Sequence, residues 1–340
     1  MIKIRFIKLF LLSCLVVLFL QGCEDFMEYP PSSTNAQTAL CFKNYLGNSQ
    51  NIHPKVLYFP EKWNGYKFWM AYTPYPKGKT DAENPCIAVS QDGLDWTAPE
   101  GLRNPLAYAP KNGYNSDTHL LYDSENDRME CWWREFDKKT NRDCFYRRIS
   151  SDGIKWDEKE KVLDFALPDM MRLSPAVWIE DDVYKLIYSD CARLYYIESP
   201  RNQIGKTWSE PIKLPIEWGE LRAWHQDVIT DCNGNLEMVV CAFGRGENNN
   251  SADLYYVKVR KDLSEATQPV LILQRGQDKE DFDYRSIYRS SLVYVDGQVY
   301  LYYSSIDDSW NRYMSFMSGP SVFELTGLTY EDFTSASNLR

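Results

Sequence analysis

Short runs of strand-forming apolar residues, each opened by a polar residue, recur along the chain. Five such segments occupy residues 53–58, 117–122, 174–179, 225–230 and 289–294. Each is followed by a turn and a second strand-like run, and most by a third. Alternation of apolar and polar residues with a period of two indicates β-strands. The pattern therefore predicts an all-β chain built from five similar sheets.

A seven-residue turn occurs twice at corresponding places in this pattern. Residues 90–96 and 150–156 both have the form Ser-x-Asp-Gly-x-x-Trp, and residues 199–208 form a longer variant. The Asp-Gly pair favours a tight turn, and the tryptophan can cap the apolar core of a sheet. The form is similar to the Asp-box of sialidase-like propellers, which is a folding element. Five sheets with such turns predict a single five-bladed β-propeller over about residues 46–335.

The first 45 residues carry a different pattern. Three basic residues precede an apolar stretch at 9–20, which is too short to span a bilayer and is typical of a signal peptide. The segment Leu20-Gln21-Gly22-Cys23 then resembles a bacterial lipobox, in which the cysteine is lipidated. We therefore expect a signal peptide at 1–22, a lipid on Cys23 and a tether at 23–45.

The expected location is the outer membrane of the cell envelope, at its periplasmic or cell-surface face. Glu24 and Asp25 resemble the export signals of Bacteroidetes surface lipoproteins. A net charge of −10 and a pI near 5.0 argue against a nucleic-acid partner, because phosphate-binding surfaces are basic. The remaining cysteines are scattered without Cys-x-x-Cys spacing, so no zinc site is predicted from them. We expect a monomer.

All three histidines of the chain lie within the first three residues of a predicted inner strand. Inner strands of a propeller line one channel, so their first residues face a shared cavity. The histidines either plug this channel through hydrogen bonds or form a polar ring that binds substrate. Three imidazoles could also hold a metal, but they come from different blades and no spacing supports it, so no metal site is predicted. The predicted ring comprises His53, Asp117, His119, Ser174, His225, Asp227 and Arg289.

Loops at the face of the propeller where the inner strands begin are expected to place a second group of side chains over the cavity. In an antiparallel blade, the end of the second strand lies beside the start of the first. Arginine can bind carboxylates through two hydrogen bonds, and tryptophan can stack on sugar rings. Such a mixture indicates a carbohydrate site. The group comprises Glu83, Arg134, Glu135, Trp224 and Trp310.

Hydrolysis of a glycosidic bond normally needs one protonated and one ionised carboxyl group. Asp117 and Asp227 are the best-founded pair, because they lie at the start of non-adjacent inner strands. Glu83 and Glu135 stand beside apolar residues at the rim, so either is a candidate for an acid with a raised pKa. A histidine could act as the base instead. These four carboxyl groups are the expected catalytic residues.

The repeats and turns together resemble the five-bladed glycosidases of families 43, 32 and 62. In family 43, an Asp opens blade one as general base, an Asp opens blade two as pKa modulator and a Glu opens blade three as acid. Asp117 matches the second of these, whereas His53 and Ser174 stand where the other two would be. The resemblance implies the fold and a sugar-facing cavity, but not the mechanism. It also implies an axial calcium ion, which no motif here supports, so we expect no cofactor.

These observations predict a lipid-anchored glycoside hydrolase that acts on a complex polysaccharide or oligosaccharide. The alternative is a non-catalytic, glycan-binding propeller lipoprotein that kept the fold and lost turnover. A third hypothesis is a lyase or a rhamnosidase-like enzyme in which a histidine is the acid or base.

Overall fold

The computed structural model describes residues 35–36, 38–166 and 171–329. The predicted signal peptide, Cys23 and the first part of the predicted tether lie outside these residues. Within them, almost all regular structure is β-strand, and the helical segments are three short 3-10 turns at Pro76–Gly78, Thr80–Ala82 and Arg201–Gln203. None of the described helices is long and apolar enough to cross a membrane.

The strands form five antiparallel sheets, which are the blades of a propeller. Blade one contains β1 (Asn51–Trp63), β2 (Tyr66–Pro74) and β3 (Cys86–Ser90). Blade two contains β4 (Gly113–Asp123), β5 (Arg128–Asp137), β6 (Arg142–Ser150) and β7 (Glu160–Ala166). Blade three contains β8 (Leu173–Glu180), β9 (Val183–Ser189), β10 (Leu194–Pro200) and β11 (Ile212–Lys213).

Two further blades complete the ring. Blade four contains β12 (Arg222–Thr230), β13 (Leu236–Phe243), β14 (Asp253–Val259) and β15 (Val270–Leu273). Blade five contains β16 (Ser286–Val295), β17 (Gln298–Ile306), β18 (Arg312–Gly319) and β19 (Thr326–Gly327). The inner strands β1, β4, β8, β12 and β16 contact one another in that order, and β16 returns to β1. The prediction of an all-β, five-bladed propeller is confirmed.

Every inner strand begins with a break in its pairing register. The breaks follow Ile52, Ser116, Leu173, Ala223 and Ile287, all at the same end of the ring. In the first three blades, the residue after the break has a left-handed backbone, with φ of 58° at His53, 55° at Asp117 and 54° at Ser174. A β-bulge redirects a side chain, and a left-handed residue other than glycine costs about 1–3 kcal/mol. The repeated bulge therefore aims polar side chains at the propeller axis.

The two Ser-x-Asp-Gly-x-x-Trp turns fold alike. In the second turn, Oδ1 of Asp152 accepts hydrogen bonds from the backbone nitrogens of Ile154 and Lys155. The Trp156 indole donates to the carbonyl of Gly153 at 3.1 Å, and Trp96 does the same to Gly93 at 2.9 Å. These contacts are internal to the turn and lie away from the channel. The turns are therefore folding elements, as their sequence indicates.

The last part of the predicted tether packs against the propeller. Leu40 and Phe42 are buried, and Leu40 forms a β-bridge with Met314 of β18. Asn51 at the start of β1 donates to the carbonyl of Phe42 at 2.9 Å. The packed part of the chain therefore begins before residue 46, because these apolar side chains complete the core between blades one and five.

Candidate active site

A cavity of about 340 Å³ opens at the end of the ring where the inner strands begin. All five blades or their loops contribute to its wall. Its floor carries His53, Asp117 and His225, and its sides carry Glu83, Arg134 and several aromatic rings. The volume is at the small end of the range for ligand sites, so it suits one sugar unit rather than a long chain. The bulges described above explain why side chains from distant parts of the sequence meet here.

Three buried side chains meet at the floor of this cavity. Asp117 Oδ1 lies 3.2 Å from Nε2 of His53 and 3.3 Å from Nδ1 of His225. One ligand atom from each of the three residues falls within 4.8 Å of the others. The backbone nitrogen of Ser174 donates to the other carboxylate oxygen of Asp117 at 3.1 Å, and the Ser174 hydroxyl contacts His225. Ser174 thus fixes the orientation of both.

The protonation states of these groups follow from burial and from their mutual contacts. Burial lowers the pKa of His53 well below its usual value and that of His225 to about 3. Burial raises the pKa of Asp117, but the neighbouring His225, His53 and Arg134 outweigh it and bring the pKa to about 2. At neutral pH the site therefore holds two neutral imidazoles and one carboxylate, which are the forms that bind divalent cations.

The three residues fit a divalent metal ion. Among the described residues, Nε2 of His53, Oδ1 of Asp117 and Nε2 of His225 are buried atoms without a hydrogen-bond partner. Unpaired buried polar atoms are costly, and a bound cation would satisfy them. Two imidazoles and one carboxylate suit zinc and other first-row transition metals. No sequence motif signalled this group, because each residue comes from a different blade.

Glu83 is the second carboxyl group of the cavity wall. It lies on the loop between β2 and β3, is only 3% exposed, and its Oε1 is 3.2 Å from Nδ1 of His53. Burial and the Asp117 carboxylate raise the pKa of Glu83 well above its usual value. A carboxyl group of this kind can carry a proton near neutral pH, which general acid–base catalysis requires.

Arg134 and two aromatic residues complete the wall near the floor. The guanidinium of Arg134 is held by Asp143, with Nη2 and Oδ1 2.7 Å apart, and it donates to the Ser116 hydroxyl at 3.2 Å. The ring of Tyr288 lies 4.5 Å from that of His225. Burial raises the pKa of Tyr288 well above its usual value, so its phenol stays a hydrogen-bond donor. Trp224 also packs against His225, with 5.4 Å between the ring centroids.

Asp227 and His119, both predicted to face the cavity, lie one layer deeper. Nζ of Lys55 is 2.7 Å from Oδ1 of Asp227, and both side chains are buried. Nε2 of His119 lies 2.8 Å from the carbonyl oxygen of Val177, so its ring is held by the backbone of β8. Asp227 follows His225 by two residues, and two residues of a strand advance roughly 7 Å on the same face. The prediction that Asp227 acts on substrate is therefore not supported, because its carboxylate neutralises Lys55 below the site.

The other predicted residues divide between the floor and the outer rim. Arg289 is fully buried and spans the channel, donating to the carbonyl of Pro175 at 3.0 Å. Glu135 pairs with Lys159 at 2.8 Å and does not line the cavity. Trp310 is 40% exposed, and the Arg285 guanidinium lies 4.7 Å from its ring. The cavity also contains residues that the sequence analysis missed, namely Tyr75, Thr80, Tyr114, Ser116, Met171, Leu173, Asn249 and Tyr288.

Comparisons with known proteins connect this chain with carbohydrate-active enzymes. No protein-family model matches the sequence. The chain is 29% identical over 348 residues to the A type blood N-acetyl-alpha-D-galactosamine deacetylase of Flavonifractor plautii, and the match covers 86% of this chain. The matched region is 43% of that relative, so the chain spans less than half of its length.

Solved structures support the same connection. The crystal structure of an N-acetylgalactosamine deacetylase from F. plautii in complex with blood group B trisaccharide superposes with a TM-score of 0.68 and 25% identity. That match covers 86% of this chain and 94% of the other. A thermostable family-43 glycoside hydrolase has a TM-score of 0.59 at 12% identity, covering 86% of this chain and 96% of the other. The latter likeness shows the fold alone and confirms the predicted resemblance to five-bladed glycosidases.

Proposed function

We propose that this protein is a metal-dependent carbohydrate deacetylase that removes the acetyl group from an N-acetylated sugar. The observation that carries the proposal is the meeting of His53, Asp117 and His225 at the floor of a sugar-sized cavity, beside the protonatable Glu83. The likeness to the F. plautii deacetylase supports the same chemistry. In outline, an amide C–N bond is hydrolysed to give acetate and a free amino sugar.

The three floor residues would hold the metal ion, which supplies Lewis-acid activation of the acetyl carbonyl and of a water molecule. Ser174 keeps Asp117 and His225 in place through its backbone nitrogen and its hydroxyl. The ring nitrogen Nδ1 of His53 faces Glu83, and this outer contact orients the imidazole. The arrangement needs no movement of the strands, since the bulges already direct these side chains inward.

Glu83 is the group that moves the proton. The ionised form of Glu83 would be favoured by a cation bound at the floor. That carboxylate takes a proton from the attacking water as the oxygen bonds to the acetyl carbon, and its acid form then delivers the proton to the departing nitrogen. The C–N bond breaks, the transferred proton makes the leaving group a neutral amine, and the acetic acid that remains loses its proton to solvent as acetate. Tyr288 is placed to donate a hydrogen bond to the negative oxygen that develops on the acetyl group.

A glycoside hydrolase is the second candidate, because one observation favours it. Glu83 and Asp117 contact opposite nitrogens of the His53 ring, and their pKa values are shifted in opposite directions. A protonated acid beside an ionised carboxylate is the pair that glycosidic hydrolysis uses. However, both oxygens of Asp117 are already directed at protein groups, which leaves the carboxylate poorly placed to act on a sugar.

The two candidates differ in the product they release. The purified protein is incubated with oligosaccharides that carry N-acetylgalactosamine or N-acetylglucosamine, and acetate and reducing ends are measured separately. We expect acetate without new reducing ends, loss of activity with a chelator, and recovery with Zn²⁺, Co²⁺ or Mn²⁺. His225→Gln should be inactive and Glu83→Gln should keep only a small residual kcat, whereas the exposed Asp262→Asn serves as a control.

Other outcomes would contradict the proposal in distinct ways. Release of reducing ends that is insensitive to the chelator would establish the glycoside hydrolase. Binding of oligosaccharide without either product would establish the non-catalytic, glycan-binding alternative.

We also propose that the protein is held at the cell envelope by a lipid on Cys23. The support is the sequence pattern at 9–23 alone. Incorporation of a labelled fatty acid in a bacterial host tests it, with Cys23→Ala as the variant expected to lose both the label and membrane association. Equal labelling of the two proteins would refute it.

A further inference from the structure

The loop that carries Glu83 has little regular structure of its own. Residues 75–85 connect β2 to β3 through two 3-10 turns, so no strand pairing holds the carboxyl group in place. A catalytic group must nevertheless be held within about 0.5 Å of its working position. Some other set of contacts must therefore fix Glu83.

The side chain of Asn84, the next residue, supplies contacts of this kind. It is 1% exposed and does not line the cavity. Its oxygen accepts hydrogen bonds from the backbone nitrogen of Ala109 and from Nδ2 of Asn115, both at 2.9 Å. Its nitrogen donates to the Tyr45 hydroxyl at 2.9 Å and to the carbonyl of Asp81 at 3.3 Å. An amide offers two donor hydrogens and two acceptor lone pairs, so all four are used.

Tyr45 holds the residue on the other side of Glu83. Its hydroxyl donates to the carbonyl of Ala82 at 3.0 Å while it accepts from Asn84. Burial raises the pKa of Tyr45, which keeps the hydroxyl protonated and able to donate. Both neighbours of Glu83 in the chain are thus attached to the segment that precedes β1. Asn115 attaches the same loop to β4, two residues before Asp117.

We infer that Asn84 and Tyr45 are positioning residues that hold the Glu83 carboxyl group against His53. The inference rests on the proposed role of Glu83 in proton transfer. Neither residue belongs to the wall of the cavity, so neither would contact the substrate, and Glu83 is the cavity residue that lies between their contacts. A buried amide with every hydrogen bond satisfied specifies one geometry, whereas an apolar residue of similar size would fill the same space without directing the loop.

The test compares Asn84→Ala and Tyr45→Phe with a matched control. Asn235→Ala is suitable, because Asn235 also bonds through both ends of its amide, to Asp231 and Lys261, but lies at the opposite end of blade four. We expect kcat to fall roughly 10- to 100-fold in the two test variants, since displacement of a reacting group by about 1 Å has effects of this size. The KM and the affinity for Co²⁺ should match wild type, and Asn235→Ala should retain its kcat.

A double-variant experiment separates positioning from general damage. If Asn84 acts through Glu83, adding Asn84→Ala to Glu83→Gln lowers kcat no further, because the group it positions is already gone. Losses that multiply in the double variant would overturn the inference. Tyr45→Phe removes only a hydroxyl group and disturbs the packing less. If Asn84→Ala does not fold, the same double-variant comparison is made with Tyr45→Phe.

A second measurement does not depend on activity. The chain has only three histidines, so the ¹⁵N resonances of their rings can be assigned with two variants, His119→Gln and His225→Gln. The Nδ1 resonance of His53 should shift in Asn84→Ala and Tyr45→Phe, because Glu83 moves away from it, while His119 stays unchanged. A His53 resonance equal to wild type in both variants would refute the positioning role. An inactive wild-type protein would instead refute the proposed function, and the resonances would still decide on Glu83.

Discussion

Nε2 of His53 lies 3.2 Å from Oδ1 of Asp117, although the two residues belong to neighbouring blades and are 64 positions apart. Both have a left-handed backbone at the bulge that opens an inner strand. The contact therefore arises because the same irregularity is repeated in adjacent blades. The backbone nitrogen of Asp117 also lies 3.3 Å from His53 Nδ1, which places the two bulges in contact.

Replacement of Asp117 by Asn should weaken metal binding. The substitution keeps the shape of the side chain but removes the only negative charge among the three proposed ligands. We expect the affinity for Zn²⁺ or Co²⁺ to fall more than about 100-fold, beyond the 10- to 100-fold typical of changes to groups behind the ligands. Calorimetric titration measures it, with the exposed Asp262→Asn as the control. Wild-type affinity in Asp117→Asn would remove Asp117 from the site.

Asp227→Asn should destabilise the protein rather than change its chemistry. Lys55 would be left buried without its partner, and breaking such a pair by removing one member costs about 3–5 kcal/mol. Guanidinium-induced unfolding measures this cost. A Lys55→Met/Asp227→Leu double variant should recover much of the lost stability, since neither charge of this pair then remains buried without its partner. Loss of kcat in fully folded Asp227→Asn at wild-type stability would restore Asp227 as a catalytic residue.

Gly153→Ala should lower the free energy of unfolding far more than Gly297→Ala does. Both glycines have a left-handed φ, 74° and 82°, so the conformational cost of the added carbon is similar. At Gly153 the new Cβ would lie 2.2 Å from the Trp69 ring, whereas at Gly297 nothing lies within 4 Å. We expect about 1–2 kcal/mol for Gly297→Ala and roughly 2 kcal/mol more for Gly153→Ala. Equal changes in the free energy of unfolding would show that the turn has room to adjust.

Ionisation of the Asp283 carboxyl group should lower the free energy of unfolding as the pH rises from about 4 to 6. Burial and the nearby Asp281 raise the pKa of Asp283 to about 6, compared with roughly 3.9 in an unfolded chain. In this range the folded state binds more protons than the unfolded state, so raising the pH lowers the free energy of unfolding, by up to roughly 3 kcal/mol. The loss of unfolding free energy reaches its full size once the pH exceeds the pKa of Asp283 in the folded protein.

Asp283→Asn isolates this contribution, because it keeps the size of the side chain and cannot ionise. Its unfolding free energy should exceed that of wild type at pH 7 and approach it near pH 4. If the unfolding free energies of the two proteins changed with pH in parallel, ionisation of Asp283 would not destabilise the folded state. The exposed Asp262→Asn variant provides the baseline for the remaining carboxylates.

Much of the architecture could be predicted because its signals are local. The alternation at 117–122 or 289–294 reflects the two faces of a single strand, and each Ser-x-Asp-Gly-x-x-Trp turn makes its hydrogen bonds within itself. Recurrence of these local units indicated five blades, and closure of a ring then follows from the need to cover every sheet face. The convergence of His53, Asp117, Ser174 and His225 was likewise predictable from their place at the start of inner strands.

Depth in the channel and the identity of partners were decided by the tertiary structure alone. Asp117 and Asp227 both lie near the start of an inner strand, yet one faces the cavity and the other neutralises Lys55 beneath it. The metal-ligand group and the Asn84–Tyr45 contacts join residues from separate blades and segments. The sequence determined the strands and turns, since these depend on neighbouring residues. The contacts within the site depend on bulges and on the packing of blade against blade, which pair residues far apart in the chain, so no local pattern specifies which side chain meets which.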